Sequence, residues 1–163
     1  MMNLTPLKFT GALGGAAAVL LTATFAQAES VDATATFTGA ILDTCAVTIP
    51  TQGGLGASAD ATRLASDEAG GQAAQAQVVT NNPRATLQVI APTAFLVSPN
   101  GSDANTTFEA SHTIDGTETE AGLTTLLPVG ITQAAIDASA TKTEGAFEGG
   151  AYSMVVTVRC ITQ

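Results

Sequence analysis

Residues 31–49 read VDATATFTGAILDTCAVTI and contain the clearest alternation in the chain. In its first part, apolar or small side chains alternate with polar ones, most of which are threonines. The apolar or small members of the alternation are Val31, Ala33, Ala35, Phe37, Gly39 and Ile41. After a short break, a second alternating run extends from Cys45 to Ile49 and stops at Pro50. A period of two is typical of a half-buried β-strand, so the sequence predicts two successive strands here.

The rest of the chain repeats this pattern in short pieces. Turn signals such as Asn81-Asn82-Pro83 and Asp115-Gly116 separate the alternating runs. Residues 51–76 are rich in Gly, Ala and Ser, and we predict a loop there with at most a marginal helical turn. About eight short strands without a convincing helix predict a single all-β domain, a β-sandwich, over residues 43–163. Strands are expected at 84–91, 106–114, 123–131 and 152–160, with shorter ones at 78–79, 95–97 and 136–141.

The chain has two cysteines, Cys45 and Cys160. In an oxidising compartment two cysteines most simply form one disulfide, although either could also pair between chains. An internal bond would join the strand that starts at Cys45 to the last strand. Those strands would then be neighbours in one sheet or would face each other across the core.

The N-terminal residues 1–28 have the features of a cleavable secretory signal peptide. Lys8 precedes an apolar and small-residue stretch over 11–25, and Ala26-Gln27-Ala28 supplies the pattern that signal peptidase accepts. The alternative is an uncleaved anchor, but a membrane span needs about 20 strongly apolar residues and this stretch is shorter and rich in Gly and Ala. We therefore expect an exported protein, located in the periplasm, at the cell surface or outside the cell, with no membrane span after processing.

Composition argues against several partners. The formal net charge is −9, so the surface repels phosphate backbones and nucleic acid is not an expected partner. The chain has no Trp and one Tyr, Tyr152. Because carbohydrate grooves and flat protein interfaces often use such aromatic anchors, their scarcity counts against a sugar-binding site.

The residues that usually carry catalysis are sparse. His112 is the only histidine, and its neighbour Ser111 must point to the opposite face of a strand, so we expect a partly exposed histidine without a catalytic role. The acidic pairs Asp67-Glu68 and Glu118/Glu120 lack the aromatic platform of a glycosidase cleft. No cofactor or metal is expected, because zinc ligands are too few and the oxygen-rich loops at 100–105 and 115–120 lack calcium-loop spacing. The sequence therefore favours a protein that is not an enzyme.

Two glycosylation sequons begin at Asn100 and Asn105. They have a consequence only in a host that glycosylates its exported proteins.

The terminal strand, 29–42, can have two fates. It can pair within its own domain, or it can add to the open sheet of a neighbour, where main-chain hydrogen bonds give affinity and alternate side chains fill pockets. The second fate would make it a donor strand.

Two segments carry a resemblance to a known family. The beginning, Gly39-x-Ile41-x-x-x-Cys45-x-Val47, resembles the start of bacterial fimbrial subunits of the chaperone–usher type. The end, FEGGAYSMVVTV at 147–158, is similar to the closing strand of the spore-coat-U-like pilin group. The resemblance implies an incomplete immunoglobulin-like fold, a periplasmic chaperone, an outer-membrane usher and polymerisation through the N-terminal strand. The implied donor residues are Val31, Ala33, Ala35, Phe37, Gly39 and Ile41.

These observations lead to two functional hypotheses. The first is a structural subunit of a surface fibre, pilus or coat, a homo-oligomer assembled by strand addition. The second is a self-contained secreted or periplasmic β-sandwich that adheres or binds a ligand as a monomer. The two differ in whether residues 29–42 are needed for the protomer's own fold. A third class, a small hydrolase built around His112, requires distant partners that the sequence does not identify.

Overall fold

A computed structural model describes residues 32–99 and 101–162 of the chain. The predicted signal peptide at 1–28, Val31 and the first sequon residue, Asn100, lie outside the described residues. The chain divides into two units, Met1–Gly39 and Ala40–Gln163, and the second unit holds all the strands described below.

The fold is all-β, as the alternation predicts, and it is built from antiparallel sheets without a helix in the described part of the chain. The described residues form ten strands, where about eight were expected. Their bounds are β1 Cys45–Thr51, β2 Gly56–Ala57, β3 Arg63–Ala65, β4 Ala74–Thr80, β5 Thr86–Ile90, β6 Thr106–Ile114, β7 Thr117–Glu120, β8 Thr124–Leu126, β9 Gly130–Lys142 and β10 Thr157–Ile161.

The longest strand, β9, organises the larger sheet. β4 pairs with its first half and β3 with its second half, while β6 pairs with residues of β9 that both of them use. β6 must therefore lie on the opposite edge of β9 from β3 and β4. β1 extends the sheet beyond β4, β2 beyond β3 and β7 beyond β6.

The smaller sheet has three strands in the order β10-β5-β8. Both sheets contribute to one apolar cluster. Val78 from β4 and Ile136 from β9 come from the larger sheet, and Leu87 and Val89 from β5 come from the smaller one. All four are buried, so these facing sides form the core that the period-two pattern predicts.

A second, aromatic cluster lies apart from this core. Phe95 contacts three aromatic rings edge to face, with ring centroids 4.9 to 5.8 Å apart. These rings belong to Phe108, Phe147 and Tyr152. The Lys142 ammonium lies 5.2 Å from the centroid of the Phe147 ring. The edge-to-face arrangement matches the preference of aromatic pairs.

Four local predictions were wrong. Residues 51–76 are not a plain loop, because they contain β2, β3 and the start of β4. Residues 136–141 are not an independent short strand but part of the central 13-residue strand β9. Residues 95–97 form only an isolated bridge from Val97 to Ser153, and the last strand begins at Thr157 rather than at 152.

The largest departure concerns the beginning of the alternation. Residues 32–44 form no strand, although 31–41 has the clearest period of two in the chain. A strand needs a partner edge for its backbone hydrogen bonds, and residues 32–44 pair with no strand among the described residues.

Candidate functional site

The core is open along one seam, between the free edges of β1 and β10. β1 pairs only with β4 within the described residues, and β10 lies at the edge of the smaller sheet. The inward side chains of both borders, among them Val47, Ile49, Val156 and Val158, pack against the core but remain half-buried. Inward side chains elsewhere in the core, such as Val78 and Leu87, are fully buried. The core is thus less covered along this seam than elsewhere.

A groove of about 340 Å³ occupies this seam. Its walls include Ile49 from β1 and residues 152–156 with Val158, while Ala74 and Ile136 form part of its floor. No lining residue carries a charge, although the chain as a whole has a net charge of −9. An uncharged groove that leads to core residues suits an uncharged, partly apolar occupant.

The Cys45–Cys160 disulfide closes one end of the seam. Its Cα atoms are 6.1 Å apart, and it joins the first residue of β1 to β10. The two strands belong to different sheets, so the bond links two sheet edges across the core. The predicted pairing is confirmed, and it limits how far an occupant of the groove can extend.

The N-terminal segment presents apolar side chains to solvent. Phe37 is 94% exposed, Ile41 88% and Leu42 82%. Residues 33–42 contain no charged side chain. Of the six predicted donor residues, Ala33, Ala35, Phe37, Gly39 and Ile41 are exposed, and Val31 lies outside the described residues. A single described copy therefore leaves this alternating face unused.

A polar network holds the entrance to β1. Asn81 donates from Nδ2 to the Leu42 carbonyl (2.9 Å), and its Oδ1 accepts from the Thr44 amide (2.7 Å). The Thr44 carbonyl accepts from the Thr80 hydroxyl at 2.9 Å. Asn82, which is buried, donates from Nδ2 to Asp43 Oδ2 at 2.9 Å. Residues 42–44 are thereby fixed as an extension of β1 alongside the end of β4.

His112 does not lie where the sequence analysis expected it. The ring is fully buried, at 0% exposure, because it lies on the inward face of β6. Nε2 is 2.8 Å from the Thr125 hydroxyl, and Nδ1 is buried without a partner in the described structure. Burial lowers the pKa of His112 below its ordinary value. The neighbouring Ser111 points the other way and donates to Glu118 at 2.7 Å, so the two residues form no dyad.

Five acidic side chains line one concavity on the larger sheet. This concavity of about 690 Å³ is lined by Glu109, Glu118, Glu120, Asp137 and Asp67, with Arg63 beside them. Arg63 Nη1 bridges Asp67 (2.8 Å) and Glu68 (3.0 Å). The Arg63 guanidinium lowers the pKa of Asp67 through this hydrogen bond. Both carboxylates, Asp67 and Glu68, are therefore ion-paired with Arg63.

The two oxygen-rich loops have structural partners. Lys142 Nζ donates to the carbonyls of Ser102 (2.9 Å) and Ala104 (2.6 Å). Asp115 and Gly116 form the β6–β7 hairpin turn with positive φ at both residues, as the Asp-Gly signal predicts. Within residues 32–99 and 101–162, no group of three or more His, Cys, Asp or Glu side chains is arranged to hold a metal ion.

Comparison with known proteins gives no identity. No protein-family model matches the chain, and no curated protein sequence shows significant similarity to it. In the part of the chain that the structure describes, no helix is long and apolar enough to cross a membrane.

Two parts of the site are not predictable from the sequence. The sequence predicts Asn81 and Asn82 only as turn residues, because nothing local shows that their side chains hold a segment about 40 positions earlier. The groove itself depends on which strand edges remain free, which is a property of the topology. The alternating aliphatic residues after Tyr152 predict the last strand, but they do not show that one edge of that strand stays free.

Proposed function

We propose that this protein is a structural, non-enzymatic subunit of an exported fibre, pilus or coat, assembled when residues 29–42 of one copy add as a strand to the groove of another. The observation that carries the proposal is that the same chain has both an open core seam and an exposed, alternating segment that forms no strand in the described residues. In this proposal the incomplete fold is immunoglobulin-like, and a periplasmic chaperone and an outer-membrane usher deliver the subunit.

Charge and periodicity both support the fit. The groove lining and residues 33–42 are uncharged in a strongly acidic chain, so no charge is buried when they meet. A strand in the groove would bond to the free backbone edge of β1 and direct every second side chain towards the core. Phe37 and Ile41 would each contribute about 1.5–3 kcal/mol through burial of apolar surface.

The environment of the candidate catalytic groups supports a non-enzymatic role. His112 is enclosed in the core and Ser111 hydrogen-bonds to Glu118 on the opposite face. The disulfide is typical of proteins from an oxidising compartment, which supports export.

The first test changes the face of the segment that is meant to enter the groove. Phe37→Asp should abolish SDS-resistant multimers, while Thr36→Asp, on the other face, should leave them intact. Loss of the buried phenyl ring corresponds to about 1.5–3 kcal/mol, or roughly 10- to 160-fold in affinity. The measurement is mass in solution by light scattering, together with electrophoresis of unheated samples.

The second test removes the segment. A form lacking residues 29–42 should stay monomeric and take up a synthetic peptide of the same sequence. If the intact protein is a stable monomer and the truncated form unfolds, the segment belongs to its own domain. The monomeric adhesion or ligand-binding module then becomes the better hypothesis.

A further inference from the structure

The N-terminal segment could enter the groove of a second copy, but the groove of its own domain competes for it. Both lie in one chain, and an intramolecular strand would meet no concentration barrier. Assembly by strand addition therefore requires that self-insertion be disfavoured. The structure offers a reason at residues 42–44.

Side-chain parity restricts how the segment could fold back. Cys45, Val47 and Ile49 face inward on β1, and antiparallel partners share a face. For the odd-numbered residues of the segment to face inward as well, the connecting loop must have an odd number of residues. A three-residue loop over 42–44 would place Ile41 opposite Cys45 and Phe37 opposite Ile49.

That loop is the part of the chain that Thr80, Asn81 and Asn82 hold in place. In this network the Leu42 carbonyl and the Asp43 carboxylate accept hydrogen bonds. The Thr44 amide donates one and the Thr44 carbonyl accepts one. Three-residue hairpin loops also favour a left-handed conformation at their last residue, where a β-branched threonine is strained. Shorter loops farther upstream do not help, because a two-residue turn at Gly39 and Ala40 would direct the odd-numbered side chains to the outer face.

We propose that Thr80, Asn81 and Asn82 form an exit clamp that prevents the segment from turning into its own groove and so reserves it for a second copy. This inference rests on the proposed function and adds its regulation. Asn81, which is exposed, contributes the two bonds that define the direction of the backbone, while buried Asn82 secures Asp43 and the following turn through the Arg84 amide. The clamp residues are positioning residues and lie outside the groove lining.

The test releases the clamp and makes the turn permissive in the full chain. The variant combines Asn81→Ala with Thr44→Gly, and Thr44→Gly alone serves as the matched control because the bonds from Thr44 to Asn81 and Thr80 use only its backbone atoms. After refolding, we expect the fraction of assembled protein to fall roughly tenfold or more in the released variant and to stay unchanged in the control. Asn81→Asp, which keeps an acceptor for Thr44 but loses the donor to Leu42, should give an intermediate value.

A labelled synthetic peptide of residues 29–42 identifies the state of each monomer. The released variant should be folded by circular dichroism and closed to the peptide, because its own segment fills the groove. A released variant that assembles like the wild type would overturn the clamp and leave the proposed function standing. A folded monomer that still takes up the peptide would also overturn it, since the groove would then be empty. A wild type that neither assembles nor takes up the peptide would overturn both proposals.

Discussion

At the scale of single residues, two glycines explain how β2 packs closely against the turn that follows β3. A Cβ atom on Gly71 would lie 2.5 Å from the Ala65 carbonyl oxygen and 2.6 Å from that of Ser66. One on Gly56 would lie 2.5 Å from the Ala69 carbonyl oxygen. These close contacts involve backbone atoms, which cannot move aside as the end of a flexible side chain can. The absence of a side chain at both positions lets two backbone segments approach each other.

Substitution of Gly71 by Ala should destabilise the fold by about 1–3 kcal/mol, the usual cost of overpacking. Gly149→Ala is the matched control, because a Cβ there meets nothing within 4 Å. Urea unfolding followed by circular dichroism would measure the difference. Equal midpoints for the two variants would show that the backbone contacts are not as close as described.

His112 should make stability fall on mild acidification. Its folded-state pKa lies below the ordinary value of 6.5, so below pH 6.5 the unfolded chain binds more protons than the folded one. Stability is then fully present above that pH and is lost as the pH falls, by at most about 1.4 kcal/mol per pH unit for one proton.

The measurement is thermal unfolding between pH 7.5 and 5.5, above the range in which ordinary carboxylates titrate. His112→Gln keeps a polar group near Thr125 and should flatten the pH dependence across this window. An equally steep dependence in that variant would assign the effect to other groups.

At the scale of elements, the disulfide connects two edges that share no backbone hydrogen-bond ladder. Its cysteines are 115 positions apart. The chain-entropy model assigns a loop of this length about 4–5 kcal/mol of stabilisation, and removal from secreted domains typically costs about 2–5 kcal/mol.

Replacement of both cysteines by serine should lower the free energy of unfolding by about 2–5 kcal/mol, measured by urea denaturation. Reduction of the wild type should have the same effect, which serves as the control. A loss below about 0.5 kcal/mol would show that β1 and β10 are held by packing alone.

Elements with large alternating side chains were predictable from the sequence, and those built of small residues were not. β6 and its Asp115-Gly116 turn follow directly from period and turn chemistry. β3 was not predicted, because a single large apolar side chain, Leu64, gives no period. Its place in the sheet comes from pairing with β9. The burial of His112 was not predicted either, because its partner Thr125 lies on β8 in the other sheet.

Only one of the two parts of the candidate site, the N-terminal segment, was predictable from the sequence. The alternation at 31–41 identified the segment, but the groove and the exit clamp arise from contacts between residues distant in sequence. A free sheet edge is defined by what fails to pair with it, and no local pattern records that.

At the scale of the whole molecule, the described residues combine an exposed alternating segment that forms no strand with a core that is only partly covered along one seam. If each feature completes the other in a neighbouring copy, the contact is of the head-to-tail kind, in which two different surfaces meet. Such contacts produce open-ended filaments unless the rotation between copies closes a ring.

In the proposed filament, the exposed segment and the open seam of each subunit would give the two ends different chemistry. One end would present an empty groove and the other a free segment, so growth would have a direction. A chain that lacks residues 29–42 could join only through its groove, and it would then stop growth at that end. The balance between complete and shortened chains would therefore set filament length, much as chain terminators set the length of a synthetic polymer.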